Sequence, residues 1–337
     1  MNTMVTLEYV PCNLCGGDDL QTLYVGSDRR FDLPGAFPIV QCQRCGLIYL
    51  NPRPVSDALR RFYPAGQYYA YRPVTRRNNV VQRFRGGLKY LILAEHKGYP
   101  IPTGYQGRAG RMLGKILGTV LSSRFEGLPA YVAGGKILDV GCGNGNYLYS
   151  LRELGWETYG VEIDEQACHY AREVLGLTIF QGTLEEAHLP HNFLDVITMR
   201  HVLEHLPDPG RSLAEVYRLL RAGGSVLLET PNIESLQARF FKARWFHLDI
   251  PRHLYHFAPA TLQALLQKAG FSGIQLSFLP SMTGITGSLQ YWWNEWAGTR
   301  GTGVHRSRVL AWCLWPVGLL SARCGYGGCL RAEAVKR

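Results

Sequence analysis

The chain has 337 residues, a formal net charge of +10, nine cysteines and 46% hydrophobic residues. That length exceeds one typical domain, and the apolar share suffices for a packed core, which excludes a disordered chain. Nine cysteines in so long a chain do not make a disulfide scaffold. No uncharged apolar run reaches the roughly 18 residues of a membrane-spanning helix. The start, MNTMVTLEYVPCNLC, lacks the basic and apolar regions of a secretory signal. A reducing, cytoplasmic setting is therefore expected.

Cys12-Asn-Leu-Cys15 and Cys42-Gln-Arg-Cys45 are two C-x-x-C knuckles, each followed by a glycine, Gly16 and Gly46. Glycine there frees backbone N–H groups to turn toward thiolate sulfurs. Four thiolates in two such pairs suit a closed, structural Zn2+ site made by Cys12, Cys15, Cys42 and Cys45. A redox C-x-x-C would occur once, beside a strand and helix, and not as a doubled knuckle. The metal would staple a segment too small for a core of its own.

Residues 72–126 hold eleven Lys and Arg against two Glu, nearly the whole excess charge of the chain. Within this arm, 107–123 has helical periodicity. Arg108, Arg111 and Lys115 mark one face, with Met112, Leu113, Ile116, Leu117, Val120 and Leu121 on the other. A basic amphipathic helix suits an anionic membrane surface and also RNA. A helical cap with a solvated basic face is the third reading.

Lys136 to Val140 read as a short buried strand, followed by Gly141, Gly143 and Gly145 and a helix from Tyr147. A strand, a glycine turn and a helix let a ligand press against bare backbone. The next strand, 158–163, carries Glu162 about 20 residues beyond the first glycine, where an acid takes both hydroxyls of a ribose. Pyrophosphate binding calls for G-x-G-x-x-G, yet the third glycine here comes one place early and position 146 is Asn. Asp139, two residues before the run, suits a ligand carrying an ammonium group and no phosphate.

The run Asp139-Val-Gly-Cys-Gly-Asn-Gly145 resembles the first motif of the class I S-adenosylmethionine-dependent methyltransferases. The resemblance implies an α/β fold, a seven-stranded Rossmann-like methyltransferase sheet, here joined to an N-terminal zinc-knuckle module and helical insertions. It also implies S-adenosylmethionine as cofactor. Its contacts would come from Asp139, Gly141, Cys142, Gly143 and Gly145 in the first motif, and from Glu162 and Ile163 after strand two. Thr183 and Leu184 after strand three, with Arg200 and His201 at the end of strand four, complete the set. The family often places an acid after strand three; this chain has Thr183 there, which leaves a hydroxyl or a backbone group to meet the adenine amino group. The stretch from Cys42 to Pro54 looks like the zinc-binding module ahead of some bacterial methyltransferase domains, a group that includes sugar and surface-glycan enzymes.

A helix over 165–175 leads to strand three, 178–182, and strand four, 195–200. His201-Val-Leu-Glu-His205-Leu-Pro-Asp-Pro209 follows, resembling the motif after strand four in ubiquinone-type and related small-molecule methyltransferases. His205 stands four residues after His201, which on a helix puts both on one face. A helix over 211–220, a turn at Arg221-Ala-Gly-Gly224 and strand five, 225–230, come next. The segment Trp245-Phe-His247-Leu-Asp249-Ile-Pro-Arg252-His253-Leu-Tyr-His256 is too rich in histidine, charge and aromatics for a connector. It resembles the P-R-H-x-x-H-F segment of zinc-module methyltransferases. The spacing of His247, His253 and His256 with Asp249 matches no standard zinc pattern, so a substrate wall is preferred to a metal site or a structural lid. For an oxygen or carbon nucleophile, a base of near-neutral pKa assists proton removal. His253 and His256, then His205, are the candidates, with Glu204 beside them.

After a helix over 259–269, strand six, 273–279, and strand seven, 329–336, are separated by about fifty residues. That insertion carries Tyr291-Trp-Trp293, Trp296 and an apolar stretch over 309–320. The latter is too short to span a bilayer but able to lie in its interface, with Arg306, Arg308 and Arg323 as anchors. The expected organisation is a zinc module (1–54), a basic helical arm (55–130), a methyltransferase core (131–280) and a hydrophobic insertion plus last strand (281–337). The expected acceptor is oxygen or carbon of a small-molecule or lipid-linked sugar or related polar metabolite, at an anionic membrane surface on its cytoplasmic face. An RNA methyltransferase is the alternative, with Tyr68, Tyr69, Tyr71 and Arg72 interleaving aromatics and charge; no base-methylating signature follows strand four, which ranks nucleic acid second.

Overall fold

A computed structural model describes residues 5–64, 87–100, 112, 114–116 and 127–337. Most of the basic arm, including Tyr68 to Arg72 and most of the 107–123 periodicity, lies outside the described residues.

Thirteen strands are present among the described residues. The first five are β1 (Leu7–Glu8), β2 (Leu20–Gly26), β3 (Phe37–Cys42), β4 (Ile48–Leu50) and β5 (Arg53–Pro54). Next come β6 (Lys136–Val140), β7 (Glu157–Glu162), β8 (Thr178–Gln181), β9 (Leu194–Arg200) and β10 (Leu220–Pro231). The last are β11 (Tyr255–His256), β12 (Ser272–Leu279) and β13 (Cys329–Val335). Seven of them form one sheet in the order β12-β13-β10-β9-β6-β7-β8. β6 pairs in parallel with β7, and β7 with β8, whereas β12 and β13 run antiparallel. This is the expected α/β, Rossmann-like sheet, and its last two strands still pair across the long insertion, with Leu279 opposite Cys329 and Leu276 opposite Ala332.

The chain divides into two compact units. One comprises Tyr68–Thr198 and Arg218–Leu227, the other Met1–Gln67, Met199–Tyr217 and Leu228–Arg337. In the first unit the core gathers Ile137, Leu148, Leu151, Trp156, Ile179 and Val196. Apart from Trp156, just before β7, these are aliphatic residues on strands or on one helix face, so each element buries its apolar side against the next. In the second unit Phe37, Ile39, Leu50, Phe62, Trp245 and Ile250 close around one another. There β11, from the histidine-rich segment, pairs with β4 of the cysteine module, giving a four-stranded sheet β11-β4-β3-β2.

Helix starts follow their capping chemistry. Asp164 accepts from the N–H of Ala167 at the head of Glu165–His169, and Ser307 from that of Leu310 at the head of Arg308–Arg323. Asp208 accepts from the N–H of Arg211 where Pro209–Leu219 begins, with proline in the first turn.

Three local expectations are corrected. The helix over 165–175 passes at Tyr170 into a π-helix, Tyr170–Val174. The turn at 221–224 is instead part of β10, where Gly223 takes up φ +78° and Arg221 pairs with Asp195. His201 and His205 do not share a helical face: His201 has φ +55°, and the helix is a single 3-10 turn, Leu203–His205.

Candidate active site

The glycine loop is built within the first unit. β6 ends at Val140, and Gly141, Gly143 and Gly145 all adopt left-handed φ, +68°, +54° and +76°. Only glycine does this without steric cost. The N–H groups of Gly141 and Cys142 donate to the carbonyl of Val161, which fastens the loop to β7. The Cys142 side chain is buried beneath it. Gly145 has a second constraint: a Cβ there would lie 2.6 Å from Leu177 and 3.0 Å from Ala171.

Glu162 ends β7 and is buried. Its Oε2 accepts from the N–H of Gly143 at 2.7 Å, and its Oε1 from those of Ile163 and Asp164 at 2.8 and 3.0 Å. Burial still raises its pKa above the usual carboxylate range, the three N–H bonds only partly offsetting it. Ile163 beside it is exposed, an apolar side chain next to the buried carboxylate. Asp139 is buried, with Oδ1 accepting from the Thr198 hydroxyl at 2.5 Å. One of its oxygens thus braces β6 against β9. After β8, Thr183 forms a small cap with Glu186: its N–H donates to that carboxylate, and its hydroxyl accepts from the N–H of Glu186. The Thr183 hydroxyl is engaged there, and Leu184 is buried.

The second unit holds the histidines. Arg200 is half-buried at the end of β9. His201 follows, its N–H donating to the carbonyl of Glu229 and its Nδ1 standing 3.2 Å from Oε1 of the fully buried Glu204. Its ring lies parallel to that of His247, with centroids 6.4 Å apart. Burial opposes charge on His201, but hydrogen bonds to Cys329 and Glu204 outweigh it and hold the pKa well above the usual histidine range. Burial likewise pushes Glu204 up, yet the bond to His201 and the surrounding imidazoles bring it down to about 2.

His205, His253 and His256 come together although the first is some fifty residues from the others. The N–H of Leu254 donates to the carbonyl of Glu204, tying the two segments. His205 and His253 meet edge to face at 4.6 Å, and His256 lies 6.4 Å beyond His253. Nδ1 of His205 lies 3.0 Å from the carbonyl of Arg252 and 3.0 Å from the Tyr63 hydroxyl. Nδ1 of His253 lies 2.8 Å from the carbonyl of His247. A carbonyl only accepts, so both imidazoles carry hydrogen on Nδ1 and a lone pair on Nε2. Desolvation lowers the pKa of all three, to about 4 for His256. Burial therefore disfavours the charged form of the rings among which a base of near-neutral pKa was expected.

Asp249 and Arg252 of the same segment serve another purpose. Arg252 is fully buried, and its guanidinium reaches Asp249 at 2.7 and 2.9 Å and Asp28 at 2.7 and 3.1 Å. Asp28 and Tyr63 were not singled out by the sequence, which offers no spacing signal for partners so distant along the chain.

The four knuckle cysteines converge. Their sulfurs all lie within 4.8 Å of one another, with Cys12–Cys45 at 3.4 Å and Cys15–Cys42 at 3.5 Å. A disulfide needs about 2.05 Å, whereas zinc bonds of about 2.3 Å set tetrahedral sulfurs roughly 3.8 Å apart. Gly16 and Gly46 take φ +72° and +78°, each donating its N–H to the carbonyl four residues back. Backbone N–H groups of Leu14 and Cys15 turn onto the Cys12 sulfur.

A family model described as a methyltransferase domain matches residues 119–276. The chain is 33% identical over 165 residues to a ubiquinone biosynthesis O-methyltransferase of Azoarcus sp., covering 43% of this chain and 68% of that protein. It is 32% identical over 148 residues to a probable S-adenosylmethionine-dependent methyltransferase of Mycolicibacterium smegmatis, covering 44% of this chain and 56% of that relative. Among solved structures, a SAM dependent methyltransferase from Archaeoglobus fulgidus is similar with a TM-score of 0.44 at 22% identity, covering 66% of this chain and 94% of that chain.

Proposed function

The chain belongs to the class I S-adenosylmethionine-dependent methyltransferases, and we propose that it methylates an oxygen or carbon of a sugar, a lipid-linked glycan or a related polar metabolite. The observation that carries this reading is the cluster after β9, in which Glu204, His205 and His253 each bring a nitrogen or carboxylate oxygen within 4.8 Å of the other two. An acceptor hydroxyl or C–H has to lose or loosen its proton as it attacks the methyl group, and Nε2 of His205 and His253, left as acceptors by the Nδ1 contacts, can take a hydrogen bond from it. The names of the curated relatives, O-methyltransferases among them, favour oxygen over carbon.

S-adenosylmethionine is the cofactor, and it supplies a methyl group on a cationic sulfur. The residues present fit it. Glu162 offers a carboxylate to the ribose hydroxyls, Ile163 an apolar face to adenine, and the turn from Gly141 to Gly145 open backbone to the methionine end. Holding the acceptor in line with the methyl group supplies much of the rate through proximity.

Zn2+ held by Cys12, Cys15, Cys42 and Cys45 is part of the same reading, supported by the spacing of the four sulfurs. Association with an anionic membrane is supported by the insertion. Its helices Met282–Ala297 and Arg308–Arg323 expose Trp296 (76%) and Trp312 (79%), together with Val309 and Leu320. Among the described residues no helix is long and apolar enough to cross a membrane.

The test is transfer of isotope-labelled methyl from S-adenosylmethionine to a panel of sugar nucleotides, polyprenyl-linked glycans, phenolic metabolites and RNA. Label on a hydroxyl or carbon of a small or lipid-linked polar acceptor is the expected result. Label on RNA alone would overturn it in favour of the nucleic-acid alternative.

A further inference from the structure

We infer that Glu204, His205 and His253 form a binding site for a divalent transition-metal ion, separate from the cysteine site. One ligand atom of each residue lies within 4.8 Å of the other two. Metal bonds of about 2.1 Å bring ligand atoms up to roughly 4 Å apart onto one ion, so a shift of a few tenths of an ångström closes the set.

Each of the three residues has an atom to give. Oε1 of Glu204 is engaged by His201, whereas Oε2 is buried and has no hydrogen-bond partner among the described residues. Leaving a buried carboxyl oxygen so is costly, and a buried polar atom of this kind calls for an explanation. Both imidazoles carry hydrogen on Nδ1 and direct it at a backbone carbonyl, Arg252 for His205 and His247 for His253. Metal-bound histidines are oriented in this way, by a carbonyl or carboxylate on the ring nitrogen that does not bind the metal. Nε2 of His253 is 3.9 Å from Asp249, too far for a hydrogen bond, which leaves its lone pair available.

Two imidazoles and one carboxylate select borderline ions, such as Zn2+, Fe2+, Mn2+ or Co2+, over the all-oxygen preferences of Mg2+ and Ca2+. The ligands come from a Glu-His pair and a histidine 48 residues later, so no local spacing reveals them. A bound ion would acidify an acceptor hydroxyl placed against it. That consequence rests on the methyl-transfer reading; the binding itself does not.

The experiment is Co2+ titration of the full-length, chelator-stripped protein without substrate or S-adenosylmethionine, read by absorption and by bound metal per chain. The cysteine site gives intense sulfur-to-cobalt charge-transfer bands. The proposed site gives only weak d–d bands, as nitrogen and oxygen ligands do. The wild-type protein is expected to bind two equivalents, and Glu204→Gln and His253→Gln each to lose the equivalent with weak bands while keeping the thiolate bands. Retention of S-adenosylmethionine binding by the variants shows that they fold. A single equivalent in the wild type, or two in both folded variants, overturns the inference. Methyl-transfer activity does not enter either outcome, so failure of the metal site and failure of the proposed function are told apart.

Discussion

Arg252 and Asp28, 224 residues apart, form a two-pronged ion pair that no solvent reaches, with bonds of 2.7 and 3.1 Å. The same guanidinium grips Asp249 and donates to the carbonyl of Phe62. It therefore holds the histidine-rich segment against the loop after β2 within one unit. Removing one side of a buried pair leaves the other charge desolvated and unpaired, at a cost of about 3–5 kcal/mol. Arg252→Ala and Asp28→Ala are expected to destabilise the protein by that order in chemical denaturation. Arg252→Lys should not rescue, because one ammonium cannot reproduce a planar fork shared by two carboxylates. A loss within about 0.5 kcal/mol, the ordinary range for a surface substitution, would deny the pair this role.

Glu162 leads to a pH dependence. Its folded pKa is raised by burial, so the ionised carboxylate costs stability. That contribution is favourable below the unfolded pKa and is lost as pH rises through the folded value. With Glu162 meeting the ribose as proposed, the hydroxyls donate to the ionised form, so cofactor binding is expected to weaken as pH falls through the raised value, by up to about tenfold per pH unit. Calorimetric titration with S-adenosylmethionine across the mildly acidic range checks this. Glu162→Gln should flatten that dependence and lower affinity by about 10- to 100-fold, the worth of hydrogen bonds to a charged group. A wild-type affinity indifferent to acid would exclude Glu162 as the ribose acid.

Gly145 is held by two separate constraints, left-handed φ and the Leu177 methyl 2.6 Å from where a Cβ would sit. Gly145→Ala therefore has to shift the loop or the leucine, an overpacking cost of about 1–3 kcal/mol. Reduced thermal stability together with weakened S-adenosylmethionine binding is the expected pair of readouts. If stability falls and binding does not, the loop is structural only.

How much of this could be read from the sequence depended on whether the signal was local. β6, the glycine turn and Glu162 lie within one strand–turn–helix–strand unit, so residue type and spacing sufficed to locate them. The doubled knuckle likewise brings each cysteine pair together through its own turn. The spacing of four between His201 and His205 fits a helical face, but the φ of +55° at His201 breaks the chain direction before the 3-10 turn begins. Asp28, Tyr63 and the meeting of Glu204 with His253 depend on tertiary packing between segments far apart in sequence, which no periodicity encodes. The lowered pKa of His253 and His256 has the same origin, since desolvation comes from neighbours the local sequence does not name.

The insertion between β12 and β13 gives the last prediction. Helix Arg308–Arg323 exposes Val309, Trp312, Trp315, Val317 and Leu320, and helix Met282–Ala297 exposes Trp292, Trp293 and Trp296. Single exposed apolar residues are ordinary, but a run of this size signals a surface that meets something apolar. Tryptophan favours the headgroup level of a bilayer, and Arg306, Arg308 and Arg323 supply charge for anionic lipid. The purified protein should therefore float with anionic vesicles, and flotation should survive physiological salt because insertion, unlike charge attraction, is not screened. Replacing Trp296 and Trp312 together by Ser should abolish salt-resistant flotation and leave S-adenosylmethionine binding intact. Wild-type flotation that salt removes, or that RNA displaces, would assign the attraction to charge alone and leave these tryptophans for a protein partner.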